Sequence, residues 1–368
     1  MERPLNTITL RGLNRATLAR QMLLAREQAS PTEAVERLAG MQAQEAKPPF
    51  VGLWTRLERF EHDDLLAALR QRDVVRATWL RATLHLTSAA DYLAFRMVLD
   101  PMLERAMRGF GAQIDVGELL PVARELVERA PRNFNELRGL LSEAFPKVNE
   151  RALGYIVRLR LPLVMLVTDD RWGFPSVADF TLADEWLGAT PEADDAPHEL
   201  VRRYLAAFGP ATAADVQTWS GLKGIRGVLA ELRDDLHIVK DQGGRTLFDL
   251  PDSPRPDEDT PAPVRFLPAF DNLVLSHADR TRVLADEHNG KVLTKNLRVR
   301  PTFLVDGFVA GTWEIERRKG AATLRLSPFA ALSKGAAEEL GAEGEALLRF
   351  AEDDAGTYDV QVERPGED

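Results

Sequence analysis

The chain has 368 residues, 47 Lys and Arg against 57 Asp and Glu, a formal net charge of −10, and no cysteine. At about 100–200 residues per domain this length allows roughly two to four domains, and the missing cysteine excludes disulfides, thiolate metal sites, iron–sulfur clusters and a cysteine nucleophile. The longest apolar run, 161–167, is broken by Pro162 and is too short for a bilayer, and residues 1–18 lack a signal-peptide core, so the expected location is the cytoplasm with no membrane partner.

Along the chain, a pattern of about three helices followed by two short strands occurs three times. In the first pass, helical spacing covers 15–27. Ser30-Pro31-Thr32-Glu33 then forms a capping box with proline at the first helical position, and the helix it opens runs to Gly40. Further helices cover 49–57 and 63–70, and 74–80 with 83–87 read as a β-hairpin. The second pass predicts helices over 116–130, 134–144 and from an Asn149 cap to Arg160, then a hairpin of 163–168 and 172–176 around Asp169-Asp170. The third predicts helices near 198–207, 212–220 and 224–235, with strands 237–240 and 245–250.

Helix–helix–helix–hairpin is the order of a winged-helix unit, although the same order also arises in folds that never touch DNA. The expected fold class is α+β: tandem winged helices over 1–110, 111–185 and 186–255, the first holding the candidate active-site loop. A Pro- and Asp-rich linker at 251–262 leads to a C-terminal β-rich domain over 263–368. In that domain strands are expected at 264–268, 273–276, 292–294, 302–305, 308–313, 323–326 and 357–362, with a helix at 328–350.

A negative total argues against a polyanionic partner, but the charge is uneven. Residues 1–110 carry 16 cations against 13 carboxylates, and 280–326 carry 10 against 5, while 338–368 hold 11 carboxylates and 2 cations. Two mildly basic regions therefore permit a DNA-binding face. Phosphate-loop, HExxH and GxSxG motifs are missing, and the six histidines are not spaced as metal pairs, so neither a metal nor a cofactor is expected.

Four polar features remain. Gln42 and Gln44 flank Ala43 after the capped helix. In extended backbone they point the same way and present two amides, or else they are solvated loop residues. Arg81, Thr83 and His85 alternate with Leu84 and Leu86, which suits either a phosphate- or sugar-contacting strand face or a solvated one. Phe270-Asp271-Asn272 and Asp279-Arg280 suggest a loop held by an Asp–Arg pair. Arg317-Arg318-Lys319 is a basic hairpin tip that either reaches a phosphate backbone or aids solubility.

LNRATLARQ, GMQAQEAKPPFVGLW, WLRATLHLTSAADY, LPAFDNLVLSHADR and VDGFVAGTWE together resemble the AlkZ-like/YcaQ-like family of winged-helix DNA glycosylases, over nearly the whole chain. The resemblance implies three tandem winged helices and a β-rich domain curved around duplex DNA, and unhooking of interstrand crosslinks and bulky alkylguanines. Several members protect antibiotic-producing bacteria from their own DNA-alkylating products. Gln42-Ala43-Gln44 matches the Gln–apolar–Gln motif of the AlkZ-like branch, which makes Gln42 and Gln44 the expected catalytic residues. Arg81, Thr83 and His85 carry over as contacts near the site, with Lys47, Arg317, Arg318 and Lys319 as further DNA contacts. The expected activity is a metal-independent, monofunctional glycosylase acting as a monomer on double-stranded DNA that contains N7-alkylguanine, associated with the nucleoid when it acts. The alternative is a non-catalytic winged-helix transcriptional regulator.

Overall fold

The computed structural model describes residues 7–108, 114–294 and 298–365. The boundary expected between 110 and 111 lies outside the described residues.

Side-chain caps place most helices where the sequence puts them. Asn133 accepts from the amides of Asn135 and Glu136 at the start of Phe134–Ala144, and Asn149 accepts from Arg151 and Ala152 at the start of Glu150–Arg160. The Ser30/Glu33 capping box opens Pro31–Arg37. After that helix the Gly40 N–H returns to the Val35 carbonyl and Ala39 N–H to Glu36, which closes the helix end and leaves Gly40 at φ +83. The first helix, Leu10–Arg20, begins and ends earlier than expected. Thr9 caps it, and the chain beyond runs out to bridge Leu57 through Glu27.

The strands are β1 (Thr7–Ile8), β2 (Met41–Gln42), β3 (Val74–Thr78), β4 (Leu84–Ser88), β5 (Leu163–Met165), β6 (Phe180–Leu182) and β7 (His237–Asp241). They continue with β8 (Thr246–Asp249), β9 (Arg265–Leu267), β10 (Thr302–Val305), β11 (Phe308–Arg318), β12 (Ala321–Pro328) and β13 (Thr357–Val362). Among the described residues they make three sheets, ordered β2-β4-β3-β5-β6, β1-β7-β8 and β13-β12-β11-β10-β9. The first sheet joins the hairpin of the first helical group to that of the second through Ala77 opposite Val164. One apolar core correspondingly spans both groups, with Leu38, Phe50 and Leu86 packed with Leu137, Leu153 and Leu182.

Three expected strands need correction. The segment 172–176 forms no strand, and β5 pairs instead with β6. Pro175 has no N–H to donate, and Trp172 leaves the sheet to pack at 5.1 Å from the Phe50 ring. The apolar stretch 273–276 is a short helix, Asn272–Leu275, because Asp271 accepts from the Leu273 amide and caps it. At 292–294 only an isolated Leu293–Val299 bridge forms, following the Asn289–Val292 turn of helix. The last helix starts at Lys334 under a Ser333 cap, later than expected, because β12 extends to Pro328.

The first helix is almost wholly buried despite its polar residues, each of which meets a distant partner. Asn14 Nδ2 donates to the carbonyls of Arg282 and Gly307 at 2.8 Å, and Gln21 Nε2 donates to that of Ala207. Arg20 makes a two-point ion pair with Asp249 at 2.6 and 2.9 Å, both side chains buried. Arg15 Nε donates to the Thr260 carbonyl, so the 251–262 segment is irregular in backbone but docked on this helix.

Candidate active site

The chain between Gly40 and Pro48 carries the two amides. Met41 and Gln42 add a short edge strand to the first sheet, with Met41 opposite Leu86 and Gln42 opposite His85. One hydrogen bond further on, the Ala43 N–H donates to the Leu84 carbonyl. Ala43 is buried, Gln42 half-buried and Gln44 exposed, so the alternation turns both glutamines away from the core. Arg76 on β3 holds this loop from behind, with Nε 2.9 Å from the Ala43 carbonyl and Nη2 3.2 Å from that of Gln44. Burial, then neighbouring Arg158, pushes the Arg76 pKa down to about 10, so it remains a cation.

Arg81, Thr83 and His85 come to the same corner, but not as one open strand face. Arg81 lies in a tight turn with φ +54, followed by Ala82 at +60, and it reaches two acceptors: Gln42 Oε1 at 2.9 Å and the Trp219 carbonyl at 2.7 Å. Burial lowers its pKa to about 10. Thr83 Oγ1 donates to the Leu80 carbonyl at 3.1 Å. His85 is fully buried, its Nδ1–H donating to the Thr83 carbonyl at 3.1 Å, and burial followed by the Arg81 charge depresses its pKa to about 3. It is therefore a neutral residue behind Gln42, which corrects the expectation of an accessible contact. The Gln44 Oε1 receives the Leu84 N–H at 3.4 Å, a long bond that leaves most of its accepting capacity free.

Asp271 and Asn272, expected in a loop held by an Asp–Arg pair, reach this corner, and the arginine is the distant Arg56. Arg56 and Asp271 form a buried two-point ion pair at 2.9 Å, and Asn272 Nδ2 donates to the Gly40 carbonyl at 2.7 Å. Both bonds anchor the 268–272 loop against the base of the glutamine loop. Gln21, Gly40, Gln42, Pro48 and Asn272 are among the residues lining a cavity of about 10 Å3, room for one water. The buried oxygens Gln21 Oε1 and Asn272 Oδ1 have no hydrogen-bond partner among the described residues. The expected loop-holding role of Asp279 and Arg280 stands with different partners, since Asp279 pairs with Arg245 and Arg280 donates to the Val274 carbonyl.

Outside this corner a cleft of about 790 Å3 separates the glutamine loop from the last sheet. Glu45, Lys47 and Pro48 line one side, and Arg300, Thr312 and Glu314 line the other. Arg298 spans it to Glu45 at 2.9 Å. Lys47 is not free. It pairs with Glu352 and lies 5.4 Å above the Trp172 ring. Glu352 also faces Arg317 at 3.6 Å, Arg317 pairs with Asp354 at 3.0 Å, and Arg171 pairs with Asp353 at 2.6 Å. Of the basic hairpin tip, Arg318 is 80% exposed beside Glu316, and Lys319 turns the hairpin at φ +47. Among the described residues no group of three His, Cys, Asp or Glu is arranged to hold a metal ion, and no helix is long and apolar enough to cross a membrane.

The model of a family described as DNA glycosylase AlkZ-like matches residues 35–350. A Streptomyces sahachiroi protein named interstrand DNA cross-link repair glycosylase is 27% identical over 360 residues, 90% of this chain and 95% of its own length. The solved structure of DNA glycosylase AlkZ from Streptomyces sahachiroi shares the fold with a TM-score of 0.80 at 22% identity, covering 97% of this chain and 100% of that one.

Proposed function

The chain belongs to the AlkZ-like DNA glycosylase family, and from that premise we propose that it hydrolyses the N-glycosidic bond of N7-alkylguanine in duplex DNA, including bulky adducts and interstrand crosslinks. Its mixed α+β groups of helices and hairpins are read as tandem winged helices over 1–110, 111–185 and 186–255, with the β-rich 263–368 closing a face that surrounds the duplex. The observation that carries the proposal is the pair of outward amides at Gln42 and Gln44, one of them oriented by an ion-dipole contact from Arg81.

Alkylation at N7 makes guanine cationic, so it departs as a neutral base without prior protonation, and no strong general acid is needed. The protein's part is to place a water and favour an oxocarbenium-like sugar, which fixed dipoles accomplish. The Gln44 oxygen, lightly engaged by Leu84, accepts a hydrogen bond from the attacking water, whose proton is lost to solvent as the bond to the sugar forms, while the Gln42 NH2 group donates a hydrogen bond to the water oxygen or a deoxyribose oxygen. The absence of a carboxylate at these two positions confines activity to lesions already activated by charge. With Phe, Trp and Tyr only 7% of the chain, stacking platforms for an extruded base are scarce, which suits a base left largely stacked and approached from a groove.

For DNA contacts, the exposed tip residues Arg318 and Lys319 are directly available. Lys47 and Arg317 reach phosphate by exchanging their carboxylate partners, and Thr83 lies at the edge of the site. Arg81 and His85 act from behind. Lys47 is held against Glu352 and over the Trp172 ring, so it is read as a phosphate contact and not as a Schiff-base nucleophile toward the abasic sugar. The expected product is an unbroken strand with an abasic site, and borohydride treatment should trap no protein–DNA adduct; a trapped adduct lost in Lys47→Ala would reverse this.

The direct test uses two duplexes, one with N7-methylguanine and one with a bulky N7-guanine adduct, scored by alkaline cleavage. Wild type should release both. Gln42→Ala and Gln44→Ala should each lose about 10²–10³-fold in rate, as when one preorganised dipole is removed elsewhere. Full activity in both variants would discard this site, and DNA binding without release from either duplex would favour the regulator reading.

A further inference from the structure

We propose that Arg81 is a positioning residue that locks the Gln42 amide with its oxygen inward and its NH2 group toward the substrate, an inference that rests on the reading of Gln42 and Gln44 as the catalytic pair. A guanidinium has donors and no acceptor, so the Gln42 atom 2.9 Å from Arg81 Nη2 is the carbonyl oxygen, and the amide has one polarity rather than two. An unanchored glutamine amide turns over at little cost and would present an acceptor where the water oxygen or the sugar needs a donor.

The anchor itself is fixed to a part of the molecule other than the loop it serves. Arg81 Nη1 donates to the Trp219 carbonyl at 2.7 Å, inside the helix Ala213–Ser220 of the third helical group. Trp219 is fully buried and packs 5.1 Å from the Tyr204 ring, so the carbonyl is a rigid reference. The consecutive left-handed residues Arg81 and Ala82 shape the turn from which the guanidinium reaches both acceptors. Backbone of this kind, in residues that are not glycine, persists where the surroundings over-determine it, and it recurs at functional positions. A planar fork spans two acceptors in a fixed geometry, whereas a lysine ammonium offers a single point. On the other side, the cross-strand neighbour of Gln42 is the buried, neutral His85, which leaves the Arg81 guanidinium as the charged group that orders the amide.

The experiment measures single-turnover release of N7-methylguanine from a duplex oligonucleotide, and duplex affinity, for wild type, Arg81→Met, Arg81→Lys, Gln42→Ala and the double variant Arg81→Met/Gln42→Ala. Arg81→Met should slow the saturated single-turnover rate by up to about 10²-fold, the usual scale for a misplaced catalytic group. Duplex Kd should stay within about twofold, because the loss is confined to the bound state. Arg81→Lys should fall between wild type and Arg81→Met. The double variant should be no slower than Gln42→Ala, since an absent amide needs no orienting. If Arg81→Met fails to fold, Arg81→Lys carries the same expectation of a reduced rate at unchanged Kd. Losses that multiply in the double variant, or a loss seen in Kd with the saturated rate intact, would overturn the positioning role. Loss in Gln42→Ala beside an unaffected Arg81→Met overturns Arg81 alone, whereas full activity in Gln42→Ala overturns the catalytic reading of the amide on which it depends.

Discussion

Replacing Asp271 with alanine should destabilise the protein by about 3–5 kcal/mol, the cost of removing one partner from a buried ion pair. Asp271 receives both terminal nitrogens of Arg56 at 2.9 Å, and the two side chains are 3% and 1% exposed. Arg56 would keep its bonds to the carbonyls of Gln21 and Gly52, but its charge would be left buried without a counterion. The same carboxylate caps the Asn272–Leu275 helix, so its loss also frees the Leu273 amide. Urea unfolding should show a lower midpoint at unchanged slope. The paired replacement Arg56→Met/Asp271→Leu should recover most of the stability, because no charge remains to be desolvated. A midpoint shift worth less than about 1 kcal/mol in Asp271→Ala would place the pair with exposed ion pairs of little consequence. Because the 268–272 loop floors the glutamine loop, glycosylase activity should disappear with the first phase of unfolding.

Acid should unfold the protein steeply, through its buried histidines. His85 has its pKa depressed to about 3 by burial and by Arg81, and burial and then Arg282 push His277 down as well. The sign follows from proton counting. In the unfolded chain each histidine binds a proton at about 6.5, while the folded protein does not until far lower pH, so the unfolded state holds more protons between those limits. Stability is therefore complete above the ordinary histidine value and falls as pH drops from there toward 3, by about 1.4 kcal/mol per pH unit for each histidine. His277 faces Asp215 and Asp279 as well as Arg282, and with burial it too comes down to about 3, so the two histidines contribute comparable slopes. His85→Asn should therefore remove about half of the histidine-linked pH dependence. Urea titrations at pH 7, 6, 5 and 4 measure the slope. An unchanged slope in His85→Asn would mean that His85 is protonated in the folded state.

Several local signals that rest on a single side chain were readable. Asn133 and Asn149 cap their helices at the expected residues, and the last strand occupies 357–362 as its alternation predicts. Pairing across the chain was not readable. Pro175 weakens 172–176 as a strand, but nothing in 163–182 says that β5 pairs with β6, and the packing of Trp172 acts only once Phe50 is nearby. The Leu273-Val274-Leu275 run in the strand expected at 273–276 fits strand or helix equally, and the Asp271 cap settles it as helix. At the site, the Gln42–Ala43–Gln44 alternation was visible in the sequence, and buried Ala43 accounts for it. The role of Arg81 was hidden because WLRATLHL contains no glycine, asparagine or proline to mark its left-handed turn, so simple alternation placed Arg81 and His85 on a shared open face. The Arg56–Asp271 pair joins residues 215 apart in the chain, a separation that no local pattern encodes.

The buried polar helix Leu10–Arg20 bears on how the protein is made. It leaves the ribosome well ahead of its partners: Arg20 awaits Asp249, Asn14 awaits Arg282 and Gly307, and neighbouring Gln21 awaits Ala207. At about 5–20 residues per second, these partners emerge on the order of tens of seconds later. During that interval the helix carries donors that cannot be buried without loss, and it has to stay solvated or be held by a chaperone. Nascent chains halted before residue 249 should accordingly leave the Leu10–Arg20 helix open to protease, even after the five-stranded sheet that carries the glutamine loop has its full set of strands.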